Sequence, residues 1–361
     1  MTTPATAMAV AAVLLAPMAA LLGQDAVHPT GLVQATPADT VRRAAAELLR
    51  HQTADGAIVM GTLPASRSHL VPYFANFAAL GLAAASGETG DARYLDAARR
   101  WAAWYEAHMN PDGTICDFDG ASGAWQSTGD CDSTDSYAAT FLELLLAIER
   151  AAPDPAWRAA HLPAARRAVA AIRLTLQPNG LTSAKPGWEV MYLMDNVETA
   201  AGLRAAAALG LDTAGLAASM ERTMTAKLWD DARQTYAVGL EGNGRLVTAA
   251  ATWYPYLMAN LMAVGWLPPR EGHVALLGRL RQQFGAEMPV AVNTEDDLER
   301  LVWWGIAAQG AGDAALGADI AAKLHAFDAQ VKTFARPDLL GHLCCITNEC
   351  RQRIVRGVSN E

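Results

Sequence analysis

A chain of 361 residues, 52% apolar and 18% charged, holds enough material for a large buried core, in one big domain or two ordinary ones. That composition excludes an extended disordered protein. The net charge of −9 comes without a basic stripe, which argues against nucleic acid or an anionic membrane face as partner and favours a neutral or cationic ligand.

In chain order, Ala5 to Leu22 is uncharged and mostly apolar, and the first charged residue is Asp25. The length suits a secretory signal, although the usual leading Lys or Arg and a clear cleavage site are missing. Residues 1–24 are read as a signal peptide or N-terminal apolar segment, residues 25–361 as a single domain, and the protein as secreted or periplasmic. A retained membrane anchor and an ordinary buried helix are the alternatives.

Periodicity predicts an amphipathic helix over Ala38 to Leu49, then an all-apolar one over Tyr73 to Ala85, with Pro72 suited to its first position. Asp91 to His108 again has a charged face. The alternation of outer, amphipathic and inner, apolar helices continues. Outer Trp157–Leu176, Ala214–Leu228, Gly272–Phe284 and Ala314–His325 interleave with inner helices opening near Ser133, Asn196, Pro255 and Asp296. The pattern fades over Phe334 to Glu361.

The first four inner helices start about sixty residues apart, the period of a helical hairpin repeat with long loops. The outer ends also rhyme: His51-Gln52-Thr53-Ala54-Asp55-Gly56-Ala57-Ile58 returns as His108-Met109-Asn110-Pro111-Asp112-Gly113-Thr114-Ile115, and shortened as Gln177-Pro178-Asn179-Gly180-Leu181. Loops from inner to outer helices are short, whereas those from outer to inner are long and carry most of the Gly, Asp and Trp. They should gather on one face and hold the function. Trp229 to Val247 should contain a hairpin around Gly242-Asn243-Gly244.

Five clear hairpins and a partial sixth predict an all-α fold, an (α/α)6 toroid with an incomplete sixth hairpin. Asp132-Ser133-Thr134-Asp135-Ser136-Tyr137-Ala138-Ala139-Thr140-Phe141, Leu193-Met194-Asp195-Asn196-Val197-Glu198 and Pro72-Tyr73-Phe74-Ala75-Asn76 carry a resemblance to the six-hairpin glycosidase superfamily of bacterial enzymes, over roughly residues 38 to 325. The resemblance implies an α/α toroid and cleavage of glycosidic bonds.

Acidic residues stand at the mouths of buried helices, where an uncompensated carboxylate is costly. Asp135 and Glu198 are the first candidates for catalytic acid and base, with Asp132 and Asp195 as the nearest substitutes. Plain capping competes: Asp132 has N-cap spacing, and Asp195 with Glu198 has that of a capping box. Glu295 opens a third acidic mouth. Trp125, Trp188, Tyr192, Trp253 and Tyr254 lie in long loops or just before inner helices, where flat rings stack on sugars. His69, Tyr73 and Asn76 form a further substrate-binding cluster, while Trp101, Trp104, Trp303 and Trp304 read as core.

Cys116 and Cys131 bracket a loop dense in Gly and Asp and are predicted to form a disulfide. Cys344, Cys345 and Cys350 allow a second bridge with one thiol spare. His342 lacks a second histidine or a Cys-x-x-Cys pair for zinc, so no metal is expected, and no phosphate-cradling or nucleophile-elbow motif suggests a cofactor. The leading reading is a monomeric glycoside hydrolase of a polysaccharide or oligosaccharide. The rivals are a polysaccharide lyase using His69 or Tyr73 with Asn76, and a non-catalytic carbohydrate-binding protein. A terpene cyclase, suggested by Asp130 to Thr134, lacks the second half of its motif.

Overall fold

Inner helices built of Ala, Gly and Leu let neighbouring backbones approach closely, and the computed structural model shows where this is used. It describes residues 37–61, 68–268, 271–326 and 336–346, all within one unit, Ala35–Glu361. The N-terminal segment of residues 1–24 lies outside them. Among the described residues no helix is long and apolar enough to cross a membrane.

The helices are α1 (Pro37–Leu48), α2 (Pro72–Thr89), α3 (Ala92–His108), α4 (Thr134–Ala151), α5 (Pro155–Thr175), α6 (Leu193–Ala208), α7 (Ala214–Lys227), α8 (Met258–Trp266), α9 (Glu271–Phe284), α10 (Glu295–Ala311), α11 (Ala314–Ala326) and α12 (Pro337–Ile346). Each even-numbered helix packs on the next, α2 on α4, α4 on α6, α6 on α8, α8 on α10 and α10 on α12, and α12 returns to α2. The odd-numbered helices wrap this ring. Inner contacts run through small residues: a Cβ at Gly81 would collide with Gly341, one at Gly202 with Ala139, and one at Gly310 with Gly265.

The sixth hairpin is therefore complete, contrary to the sequence expectation. Its inner helix α12 is ten residues long and buries Asp338 and His342 among its leucines, so its periodicity is too short and too interrupted to read. Cys344 and Cys345 are buried in α12 and form no disulfide among the described residues, with the Cys344 thiol against the Val41 carbonyl, and Cys350 lies outside the described residues.

The rhyming loop ends are one repeated turn. Gly56, Gly113 and Gly180 all have φ near +90° (97°, 90° and 87°), and each amide donates to the carbonyl three residues back. The turns dock on the following outer helix: side chains at Gly56 and Gly113 would strike the backbone at Arg100 of α3 and Arg167 of α5.

Short strands join adjacent loops on the face formed by the N-terminal ends of the inner helices. β1 (Ser68–Leu70), β2 (Phe118–Gly120) and β3 (Gln126–Ser127) tie the loops before α2 and α4. β4 (Val190–Tyr192) pairs with β7 (Gly239–Glu241), which pairs with β8 (Leu246–Val247) across the predicted hairpin; β5 (Trp229–Asp230) pairs with β6 (Thr235–Tyr236). Cys116 and Cys131 form the predicted disulfide, closing the loop that presents Asp117, Asp119 and Asp130. Replacing both cysteines by serine is expected to lower stability by about 3 kcal/mol, the entropy of freeing a loop of this length, measured by urea unfolding.

Candidate active site

At the mouth of α4, Ser133 occupies the N-cap in the left-handed region (φ 50°) and forms no side-chain cap. Asp132 is thus not a cap. Its side chain is 62% exposed, 3.6 Å from the Lys185 ammonium. Asp135 lies in the first turn, 0% exposed, with Oδ1 accepting from the Ser136 amide at 2.9 Å.

Helix α6 begins at Leu193 with Tyr192 as N-cap, which moves Asp195 and Glu198 out of capping-box register. Glu198, 1% exposed, accepts the Tyr73 hydroxyl at 2.5 Å, joining α6 to α2. Asp195 is 9% exposed and its Oδ2 has no hydrogen-bond partner. The capping box belongs to α10, between Thr294 and Asp297.

Burial pushes the Asp135 carboxyl up to about 7; the Glu198 charge adds to the rise, while hydrogen bonds from Thr182 and the Ser136 amide oppose it. Burial, then the charges of Asp135 and Asp132, hold Asp195 well above the usual carboxylate range. A carboxyl raised in the folded state costs stability as pH climbs from its unfolded value toward its folded one. Relative to Asp135→Asn, the wild type should therefore lose melting temperature between about pH 4 and pH 7, a difference that thermal unfolding at several pH values measures.

Asp117, which the sequence reading did not single out as a site residue, accepts the Tyr137 hydroxyl at 2.9 Å; burial raises its carboxyl to about 6. His69 stands opposite Asp119 in the β1/β2 register, its Nδ1 2.9 Å from Asp119, and its Nε2 is 3.8 Å from Asp117. On the rim, Tyr254 is 65% exposed; burial and the charges of Asp195, Asp132 and Glu299 raise its hydroxyl, as does Tyr192. Trp188 is exposed under the Lys185 ammonium. Trp253 donates to Glu299 at 3.4 Å, and Glu299 also accepts from Arg336 at 2.8 Å. Arg336 pairs with Asp338 at 2.7 Å and lies over the Phe74 ring. Glu299 and Arg336 too were absent from the sequence candidates.

Three predicted residues sit elsewhere. Asn76 is wholly enclosed, donating to the Tyr137 carbonyl and Thr140 hydroxyl and accepting from Trp101, so it links α2, α3 and α4 inside the core. Trp125 packs edge-on against Trp104 of outer helix α3 and donates to Asp55, lining a separate groove of ≈ 470 Å³. Glu295 accepts the Arg336 amide at 3.0 Å, a tie between α10 and the start of α12.

No protein-family model and no curated protein sequence matches the chain. Solved structures do. An α-amylase from Clostridium perfringens superposes with a TM-score of 0.62 at 8% identity, covering 86% of this chain and 98% of that one. A GH63 mannosylglycerate hydrolase from Thermus thermophilus, in complex with glucose, gives 0.60 at 12%, covering 85% and 99%. The fold is the six-hairpin (α/α)6 toroid that these solved structures share. A D-mannose isomerase shares the architecture, with a TM-score of 0.59 at 10% identity over 89% of this chain and 97% of that one. The six-hairpin toroid thus carries more than one reaction, and function has to be argued from the side chains.

Proposed function

We propose that this protein is a glycoside hydrolase in which Asp195 protonates the leaving glycosidic oxygen and Asp132 acts as base or nucleophile. The observation that carries the reading is the Asp195 carboxyl, nine-tenths buried with an unpartnered oxygen, facing the field of the exposed Asp132. One carboxyl that keeps its proton beside one open to solvent is the division of labour that glycosidic cleavage requires.

Asp135 and Glu198, the first choices from sequence, are closed off one layer below. Their part is to support Asp195: the Asp135 charge raises its carboxyl directly, and Glu198 ties α6 to α2 through the Tyr73 hydroxyl. Tyr254 and Tyr192 offer rings beside Asp195, and Tyr73 fixes Glu198. A carbohydrate substrate agrees with the glucose held by the mannosylglycerate hydrolase and with the rhamnose bound to a structurally similar rhamnosidase from Klebsiella oxytoca. The disulfide supports a secreted or periplasmic location.

The lyase alternative loses its uronate-neutralising amide, because Asn76 is committed inside the core. Incubating purified protein with a polysaccharide panel, and reading reducing ends together with unsaturated-uronate absorbance, tests the proposal. Reducing ends without absorbance are expected; absorbance rising with them would make it a lyase, and binding without either would make it a carbohydrate-binding protein.

A further inference from the structure

We infer that the site is built for a sugar carrying a protonated amine, an amino-sugar unit, and disfavours uronates and sulfated sugars; this rests on the glycosidase reading above. The loop between α3 and α4 brings Asp117, Asp119, Asp130 and Asp132 to the face where α6 presents Asp195 and α10 presents Glu299. Among the described residues the cations there are already engaged, Arg300 over the Trp253 ring and beside Glu287 among them. Lys185 lies against Asp132, His69 stands between Asp117 and Asp119, and Arg336 is clasped by Glu299 and Asp338. An anionic sugar would meet surplus carboxylate and no uncommitted counter-charge among these groups, whereas an ammonium would gain from the same field.

An acidic surface alone is often only solvated, but here a second feature points to a ligand: Asp195 is nine-tenths buried and keeps an unpartnered oxygen within this group. A buried polar atom without a partner is costly unless something binds it. Among the described residues no three His, Cys, Asp or Glu side chains are grouped to hold a metal ion. The acidic side chains come from separate elements, the α3–α4 loop, α6 and α10, with the exposed Tyr254 beside them, and this suits a diffuse organic cation better than a point ion. The amine is received along the Asp117, Asp119 and Asp130 edge, next to Asp195 at the glycosidic oxygen.

The test is calorimetric titration of the Asp195→Asn variant, in which cleavage is slowed, with short oligomers of glucosamine, of N-acetylglucosamine and of a glucuronate-containing glycan, at low and high salt, beside a cleavage assay of the wild type on the same oligomers. The glucosamine oligomer should bind about tenfold or more tighter than its N-acetylated counterpart, as a charge-assisted contact would give, with the preference shrinking as salt rises. The uronate oligomer should bind weakest. Asp119→Asn and Asp130→Asn, each confirmed folded by its melting curve, should narrow the gap between the two glucosamine-based oligomers.

Equal binding of the three oligomers, tighter uronate binding, no binding at all, or loss of glucosamine binding to competing micromolar calcium would overturn the inference. Because binding is read on the Asp195→Asn variant and cleavage on the wild type, the two readings fail separately. Selective glucosamine binding without cleavage would overturn the hydrolase reading, and cleavage of a neutral glucan with no amine preference would overturn this one.

Discussion

Asp195→Asn is expected to lower kcat by about 10²–10⁴, the contribution typical of a positioned proton donor, while the melting temperature at neutral pH stays level or rises. An amide keeps the shape of the carboxyl and removes the cost of ionising it where burial and the Asp135 and Asp132 charges oppose ionisation. It cannot deliver a proton. Asp135→Asn should behave differently, because it takes away a negative charge that holds the proton on Asp195. The basic limb of the pH–rate profile should move to lower pH, with activity retained on the acid side. Steady-state rates of both variants from pH 4 to 9 separate the roles. If Asp135→Asn were inactive at every pH and Asp195→Asn stayed within a few-fold of wild type, the order of the two residues would be reversed.

Gly341→Ala is expected to destabilise the protein by about 3 kcal/mol or more, at the upper end for overpacking, because its added carbon would meet backbone rather than a movable side chain. A Cβ at Gly341 would collide with the Phe77 carbonyl of α2, and one at Gly81 with Gly341 itself. This contact closes the ring, and α2 and α12 also carry Tyr73, Phe74 and Asp338 to the site face. Separation of the two helices should therefore reduce activity along with stability. Gly317→Ala serves as the control: it sits in outer helix α11 with open space around it and should stabilise by up to about 1 kcal/mol. Urea unfolding of the pair measures both effects, and a loss no larger at Gly341 than at Gly317 would contradict the account of ring closure.

Much of the toroid was legible because its two helix types differ in composition. Outer helices such as α3 set Tyr94, Trp101 and Tyr105 against Arg93 and Arg100, a contrast that periodicity detects, while α2 and α4 are apolar on nearly every side. Helix α12 escaped because ten residues do not establish a period. The acidic mouths were visible as composition, but their roles were not. A cap depends on the first helical residue, and starting α6 at Leu193 instead of Asn196 takes Asp195 from the cap position into the first turn. Asp117, Glu299 and Arg336 were missed for another reason: they meet the site through contacts between distant segments. A signal existed for Asp117, since it follows the bridged Cys116 directly, and for Glu299, one helical turn after Glu295.

The central claim, that a sugar is cleaved between Asp195 and Asp132 on the loop-bearing face, is tested most directly by a crystal structure of the Asp195→Asn variant with a bound oligosaccharide. The account predicts a glycosidic oxygen within hydrogen-bonding distance of the side chain at position 195, with the Asp132 carboxylate beside the same sugar ring and Tyr254 against its face. A sugar held elsewhere, as in the groove between Trp125 and Trp104, or one whose glycosidic oxygen meets Asp135 or Glu198 instead, would contradict it.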